Sequence, residues 1–167
     1  RLFLSGPAAG AIGGLAAGRE TGHESLITID VGGTSSDIAL IDRGRVLVKP
    51  ETDIAGYNVR VPMLDVTTLG AGGGSIAWID GGGGLRVGPQ SAGSFPGPAC
   101  YGQGGENPAV TDASIVLGYI DPGYFAGGSV SLKPELSRTA IESKVARPLG
   151  MSVEAAALGI HRIANAH

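Results

Sequence analysis

The chain has 167 residues, of which 43% are hydrophobic and 16% charged, and carries a net charge of −3. Its 12 Lys and Arg are scattered rather than banked on one face, which argues against nucleic acid as a partner. No apolar stretch approaches the roughly 20 residues of a membrane span, and the start lacks a signal-peptide pattern, so a cytoplasmic setting is expected. The single cysteine, Cys100, leaves no disulfide framework and no zinc site built on four cysteines or on paired cysteines and histidines.

Glycine accounts for 30 residues, well above an average usage of roughly 7%. Without a G-X-Y period this is not collagen, so tight turns and close approach of backbone to a ligand are the better explanation. The length fits one domain with a real core, and the low charge suggests a surface covered in part by something else, such as a missing partner domain.

The elements read in chain order as follows. Ala8 to Gly18 is rich in small residues and predicts a helix packed closely on a sheet and ended by Gly18 or Gly22. Strands follow near 26–30, 37–42 and 45–49, the last before Pro50. Between the first two lies Asp30-Val31-Gly32-Gly33-Thr34-Ser35-Ser36-Asp37, two β-rich runs joined by a glycine and hydroxyl turn. Here glycine is expected to supply positive φ and bare backbone. Successive N–H groups of such a turn can form an anion nest, with the Thr34 and Ser35 hydroxyls as further donors. A nucleotide phosphate fits that nest. Asp30, at the mouth of the strand, is placed to hold hydrated Mg²⁺ or to orient a nucleophile, with Asp37 as a second acid beyond the turn. The plain alternative is a hairpin that binds nothing, since Gly, Asp and Ser are ordinary turn residues.

Asn58 to Leu69 and Ser75 to Val87 predict further strands, the second pair joined by a floppy tip at Gly81-Gly82-Gly83-Gly84. Gly72-x-Gly74-x-x-Ala77 matches a dinucleotide fingerprint, but too few residues follow for a crossover helix. A hairpin, or a loop of Gly72, Gly73, Gly74 and Ser75 touching the adenosine end of a nucleotide, is the expectation instead. From Val87 to Pro108 the chain reads as a long loop, either rigid and laid against another surface or a mobile linker. Thr111 or Asp112 predicts the N-cap of a helix through Val116, with Gly118 as its stop. Pro134 to Val145 places Leu136, Ala140, Ile141 and Val145 on one stripe, and Ser152 opens a last helix that runs on without a C-cap to His167. Cys100 is read as a small buried residue rather than a nucleophile, and His161 and His167 are too far apart to ligate one metal from a single helix face.

The D-x-G-G-T-x-x-D pattern resembles the phosphate loops of the actin, sugar-kinase and Hsp70 ATPase superfamily. Ser5-Gly6-Pro7-Ala8-Ala9-Gly10, Gly70-Ala71-Gly72-Gly73-Gly74-Ser75-Ile76-Ala77 and Val87-Gly88-Pro89-Gln90-Ser91-Ala92-Gly93 add a narrower likeness. With Pro96-Gly97-Pro98-Ala99-Cys100-Tyr101-Gly102 and Val110-Thr111-Asp112-Ala113, they make the chain similar to the hydantoinase A and 5-oxoprolinase family, from which it departs at Ala109 and Ser114.

The resemblance implies an α/β, actin-like (ribonuclease H-like) ATPase subdomain with a mixed sheet, a hairpin phosphate loop and C-terminal helices. It further implies that residues 1–167 are the second nucleotide-binding half of a longer chain, completed by upstream and downstream parts and a hydantoinase B-type subunit or domain. The implied activity is ATP- and Mg²⁺-dependent opening of a cyclic amide by phosphoryl activation, or carboxylation of a ketone. Gly32, Gly33, Thr34, Ser35 and Asp37 would hold phosphates, and Asp30 would act through the metal. Two alternatives are a non-catalytic nucleotide-binding or scaffolding domain and a kinase of the same superfamily. No G-x-x-x-x-G-K-[ST] is present, so this is not a P-loop ATPase.

Overall fold

The computed structural model describes residues 5–54 and 56–166, so the expectations placed on Arg1 and His167 lie outside the described residues. Helix α1 (Ser5–Thr21) lengthens the predicted alanine-rich helix at both ends. Its glycines permit close packing: a Cβ on Gly14 would strike the Thr28 methyl, and one on Gly18 would lie 2.8 Å from the His23 carbonyl oxygen. The helix stops at Gly22, φ +75°. There the His23 N–H donates to the Gly18 carbonyl (2.8 Å) and the Gly22 N–H to that of Arg19 (3.4 Å), the paired bonds of a Schellman end.

The sequence reading counted one domain; the residues sort into two compact units, one over 1–31 and 36–69, the other over 32–35 and 70–167. In the first unit, β1 (Leu26–Val31), β2 (Ser36–Asp42) and β3 (Arg45–Val46) follow α1. Then come β4 (Val48–Lys49), β5 (Thr52–Ile54), β6 (Tyr57–Val59), β7 (Met63–Leu64) and β8 (Val66–Leu69). Strand β2 is central, pairing with β1 along its whole length on one side and with β3 and β8 on the other. Short ribbons β4–β7 and β5–β6 complete the unit.

Every strand pairing among the described residues is antiparallel, which corrects the expected mixed sheet. For β1–β2, β2–β3 and β5–β6, turns of a few residues leave no room for the crossover that parallel pairing requires. Alternation along β1 turns Thr28 and Asp30 toward α1. The other face leaves Ile27, Ile29 and Val31 63%, 65% and 65% exposed.

The second unit contains the hairpin β9 (Ser75–Ile79) and β10 (Leu85–Ser91), so the strand expected to end at Val87 runs four residues further. A register shift between Val87 and Ser91 marks a bulge. The hairpin tip is ordered rather than floppy. The Asp80 carboxylate accepts from the Gly82 N–H (3.0 Å), the Gly84 N–H (2.8 Å) and Arg86 Nε (2.7 Å).

Helices α2 (Val110–Val116), α3 (Pro134–Ile141), α4 (Arg147–Leu149) and α5 (Val153–Ala164) pack around this hairpin. The core of Ala77, Val87, Ala113, Ile141, Val145 and Ile160 is small-residue rich, which lets α5 lie close to α2 and β10. The predicted stripe holds for Ala140, Ile141 and Val145, whereas Leu136 is 36% exposed. The predicted helix through Val145 changes at 142–146 to π spacing. Pro148 has no N–H to continue the ladder, and the Arg147 N–H reaches back five residues to the Glu142 carbonyl. Ser152 caps α5 as expected, its hydroxyl accepting from the Ala155 N–H (3.2 Å).

Candidate functional site

In the first unit, Asp30 and Asp37 are direct cross-strand partners on β1 and β2. Like charges placed opposite each other destabilise a sheet, so the pair needs compensation. Thr68 of β8 gives part of it, donating its hydroxyl to Asp37 Oδ1 at 2.5 Å. Asp30 is exposed and makes no ion pair among the described residues. Both carboxylates line a cavity of about 190 Å³ with Pro7, Gly10 and Thr28. A Cβ at Gly10 would come 3.9 Å from Asp30 Oδ2, so this face of α1 leaves the acid open. Room for several waters beside two carboxylates and no basic side chain fits a hydrated divalent cation.

The turn itself, residues 32–35, belongs to the second unit. Neither Gly32 nor Gly33 has positive φ, correcting the reason expected for them. A four-residue connection spreads the chain reversal over enough bonds that no left-handed residue is needed. The Gly32 N–H donates to the Ser35 carbonyl (2.8 Å), closing the turn. The glycine loop 72–74 then braces it: Gly73 N–H donates to Gly32 O (3.0 Å) and Gly74 N–H to Gly33 O (2.6 Å).

A trans peptide points its C=O and N–H in opposite directions. With the Gly32 and Gly33 carbonyls turned toward 73 and 74, the N–H groups of Gly33 and Thr34 face the other way. They and the Ser35 N–H make no hydrogen bond to the described residues, and a Cβ on Gly33 would meet nothing within 4 Å. The result is a set of bare donors aimed at open space, with the Thr34 hydroxyl 3.3 Å from Ser91 Oγ at its side.

Gly72, Gly73, Gly74 and Ser75 are therefore brought to the turn, but behind it. Gly72 N–H donates to Ser75 Oγ (3.0 Å) and Ser75 N–H to Gly72 O (3.0 Å), so all four N–H groups are engaged. The glycines lack side chains for a steric reason: a Cβ on Gly72 would sit 2.6 Å from Gly32 O and one on Gly74 2.8 Å from Gly33 O. The chain continues into β9, not into a helix, in keeping with rejection of the dinucleotide fingerprint.

Sequence reasoning singled out Asp112 only as a candidate N-cap and missed its role in organising this region. The N-cap of α2 is Ala109, not Thr111 or Asp112. Asp112, fully buried, accepts from Ala109 N–H (2.8 Å), Ala99 N–H (3.1 Å), Cys100 N–H (2.8 Å) and Ser137 Oγ (2.7 Å). An acid three residues into a helix is the half of a capping box that an Ala N-cap hides. Thr111, its neighbour, donates both N–H and hydroxyl to Gly73 O at 2.8 Å each. Gly118 (φ +75°) ends α2 as expected. Cys100 is buried, and burial first, then the Asp112 charge, pushes its thiol far above the ordinary range; it is no ready nucleophile. No helix of the described residues is long and apolar enough to cross a membrane.

Comparison with known proteins matches residues 1–167 to the family model described as Hydantoinase/oxoprolinase. The caprolactamase α subunit of Pseudomonas jessenii is 50% identical over 161 residues, 96% of this chain and 23% of that protein. 5-Oxoprolinase 1 of Arabidopsis thaliana is 47% identical over 127 residues, covering 75% of this chain and 10% of that one. A solved nucleotide-free structure of acetone carboxylase, studied for ATP-dependent acetone carboxylation, superposes with a TM-score of 0.89 at 36% identity, over 99% of this chain and 24% of that chain. The chain thus spans about a quarter or less of the proteins it matches.

Proposed function

The chain belongs to the hydantoinase/oxoprolinase family, and we propose that it is the second nucleotide-binding half of a longer, ATP-dependent enzyme that opens a cyclic amide by phosphoryl activation. The observation that carries this reading is the turn at 32–35, in which the N–H groups of Gly33, Thr34 and Ser35 are bare in front and the carbonyls of Gly32 and Gly33 are braced from behind. Such a turn is pre-organised for phosphate oxygens, and phosphoryl transfer depends mainly on positioning and charge neutralisation. Gly33, Thr34 and Ser35 donate to the phosphates, the bareness of Gly33 admitting them. Asp30 and Asp37 hold the waters of a cation, Asp37 oriented by Thr68. When bound, ATP supplies the phosphoryl group that activates an amide oxygen, and Mg²⁺ offsets its charge.

The relatives support this chemistry: one is an ATP-dependent caprolactamase and another a 5-oxoprolinase. The acetone carboxylase neighbour, at a TM-score of 0.89, favours a second reading in which the activated oxygen is that of a ketone. An actin-like ATPase fold, a cytoplasmic setting and a hydantoinase B-type partner subunit or domain complete the proposal. The test is kinetic, in the full-length protein. Gly33→Val is expected to abolish ATP turnover in a folded enzyme, and Asp30→Asn to lower kcat by orders of magnitude while ATP binding, followed by calorimetry, weakens only modestly. A folded Gly33→Val enzyme with turnover near wild type removes the phosphate role.

A further inference from the structure

Beside the turn, within the same unit, lies a second cavity of about 370 Å³, lined by Ile76, Ser91, Gly97, Gly104, Glu106 and Asn107 among others. That volume lies in the range of about 300–1,000 Å³ usual for small-molecule sites. Ser91 connects it to the phosphate turn through the 3.3 Å hydroxyl contact with Thr34. A third cavity, of about 480 Å³, shares Ile76 and Asn107 with it and adds apolar surface from Trp78 and Ile79, with Gln90 and Lys144 on its wall.

The wall bearing Glu106 and Asn107 is held at both ends. At one end the Asp112 carboxylate takes the N–H groups of Ala99 and Cys100, and the Lys133 N–H donates to Cys100 O (2.8 Å). At the other, the Ala77 N–H donates to Pro108 O (2.8 Å), Ile76 forms a β-bridge with Ala109, and Asp112 takes the Ala109 N–H. Gly105 lies so close to the Gly97 carbonyl that no side chain fits. The long loop is therefore a built wall, yet Glu106 and Asn107 are exposed and their side chains make no hydrogen bond or ion pair among the described residues.

We infer that this cavity is the pocket for the acceptor substrate, a neutral cyclic amide, read by Glu106 and Asn107; the inference rests on the amide-opening reading above. A ring amide presents N–H and C=O side by side. A carboxylate that only accepts, next to an amide that donates, matches that edge. Ile76 and Trp78 offer apolar surface to the ring methylenes. Among the described residues, Glu106 is the one charged residue lining the 370 Å³ cavity, Lys144 lying on the wall of the adjoining one, so within this cavity a substrate carboxylate meets a like charge and is disfavoured. The position next to Thr34 and Ser91 puts the amide oxygen toward the phosphate turn, where an activating phosphoryl group is needed.

The experiment measures ATP hydrolysis stimulated by caprolactam and hydantoin, as neutral probes, and by 5-oxoproline, as the anionic one, in the full-length protein. A neutral probe is expected to be preferred by wild type. Losing the charged hydrogen bond in Glu106→Gln, or the amide donor in Asn107→Asp, should raise the KM of the neutral probe about tenfold. Neither should change the KM for ATP, and Glu106→Gln should narrow the gap to 5-oxoproline, a shift in specificity that loss of fold does not produce. If both variants keep the wild-type KM while Gly33→Val still abolishes turnover, the pocket assignment falls and the phosphate turn stands. A wild-type preference for 5-oxoproline over both neutral probes overturns the pocket reading as well. If no cyclic amide stimulates turnover, the amide-opening function falls and the pocket with it.

Discussion

The glycines at 32–33 and those at 72–74 are in contact within one unit, and a methyl group added to Gly33 would meet the opposite surroundings from one added to Gly72 or Gly74. A Cβ on Gly33 points into open space, whereas Cβ atoms on Gly72 and Gly74 would fall 2.6 and 2.8 Å from backbone carbonyl oxygens. Of the first run, Gly33 is bare toward solvent, the side from which the proposed phosphate would approach, whereas a Cβ on Gly32 would lie 3.1 Å from Ser35 O. The second is bare so that another stretch of backbone can press against it and take its N–H groups. A third run, Gly81 to Gly84, is organised by Asp80 and does neither. A glycine-rich stretch is therefore informative about function only when its N–H groups are known to be free or engaged.

The strongest way to break this contrast is to loosen the start of α2, whose Thr111 holds the second run through Gly73 O. Asp112→Ala leaves three backbone N–H groups and the Ser137 hydroxyl without an acceptor in a fully buried site. A loss of about 3–5 kcal/mol is expected, read as a lower denaturant midpoint. A loss under about 1 kcal/mol would mean that water replaces the carboxylate and that the clamp is dispensable. Gly72→Ala and Gly74→Ala, which force backbone apart, should each cost about 1–3 kcal/mol in the same measurement. Gly33→Ala should change stability by no more than about 0.5 kcal/mol, yet slow ATP-dependent turnover in the full-length protein. Equal destabilisation by alanine at Gly33 and Gly74 would erase the distinction between the two runs.

The smallest expected effect concerns the third run. The Arg86 hydrogen bond first, then the N–H of Gly84, holds the Asp80 carboxyl below its ordinary range. With the folded value depressed, its contribution to stability is present above the ordinary carboxylate range and is lost as pH falls through the folded value. Asp80 pairs with a solvent-exposed arginine, so the contribution is small. Asp80→Asn should lower Tm slightly at pH 7, and the difference from wild type should shrink as pH falls through the folded value.

Local pattern carried much of the architecture. The small-residue run of α1 and its stop at Gly22, the antiparallel hairpin around residues 30–37, the cap at Ser152 and the stop at Gly118 all depend on neighbours a few residues apart, and local chemistry suffices to read them. The same holds for the family likeness, whose motifs stand in register along the chain. Less legible were features set by partners distant in sequence. The interruption at 142–146 arises locally from Pro148, but the strand end at Ser91 depends on pairing with Ser75 across a bulge. The order of the tip at Gly81 to Gly84 depends on which way one carboxylate turns.

The sequence by itself determined that a glycine and hydroxyl turn lies between two acids, because strand, turn and strand are contiguous; that Asp30 and Asp37 stand directly opposite each other is a matter of register, set when the strands pair. Only the tertiary structure decided which glycines are bare toward solvent. That choice rests on a loop some forty residues further along the chain, whose N–H groups take the Gly32 and Gly33 carbonyls and so turn the opposite ends of those planar peptides outward. It likewise decided that Asp112 is a buried hub, since its donors at 99, 100, 109 and 137 meet only when loop and helices fold over it. A buried carboxylate must find hydrogen-bond donors, and which segments supply them is a property of the packed chain.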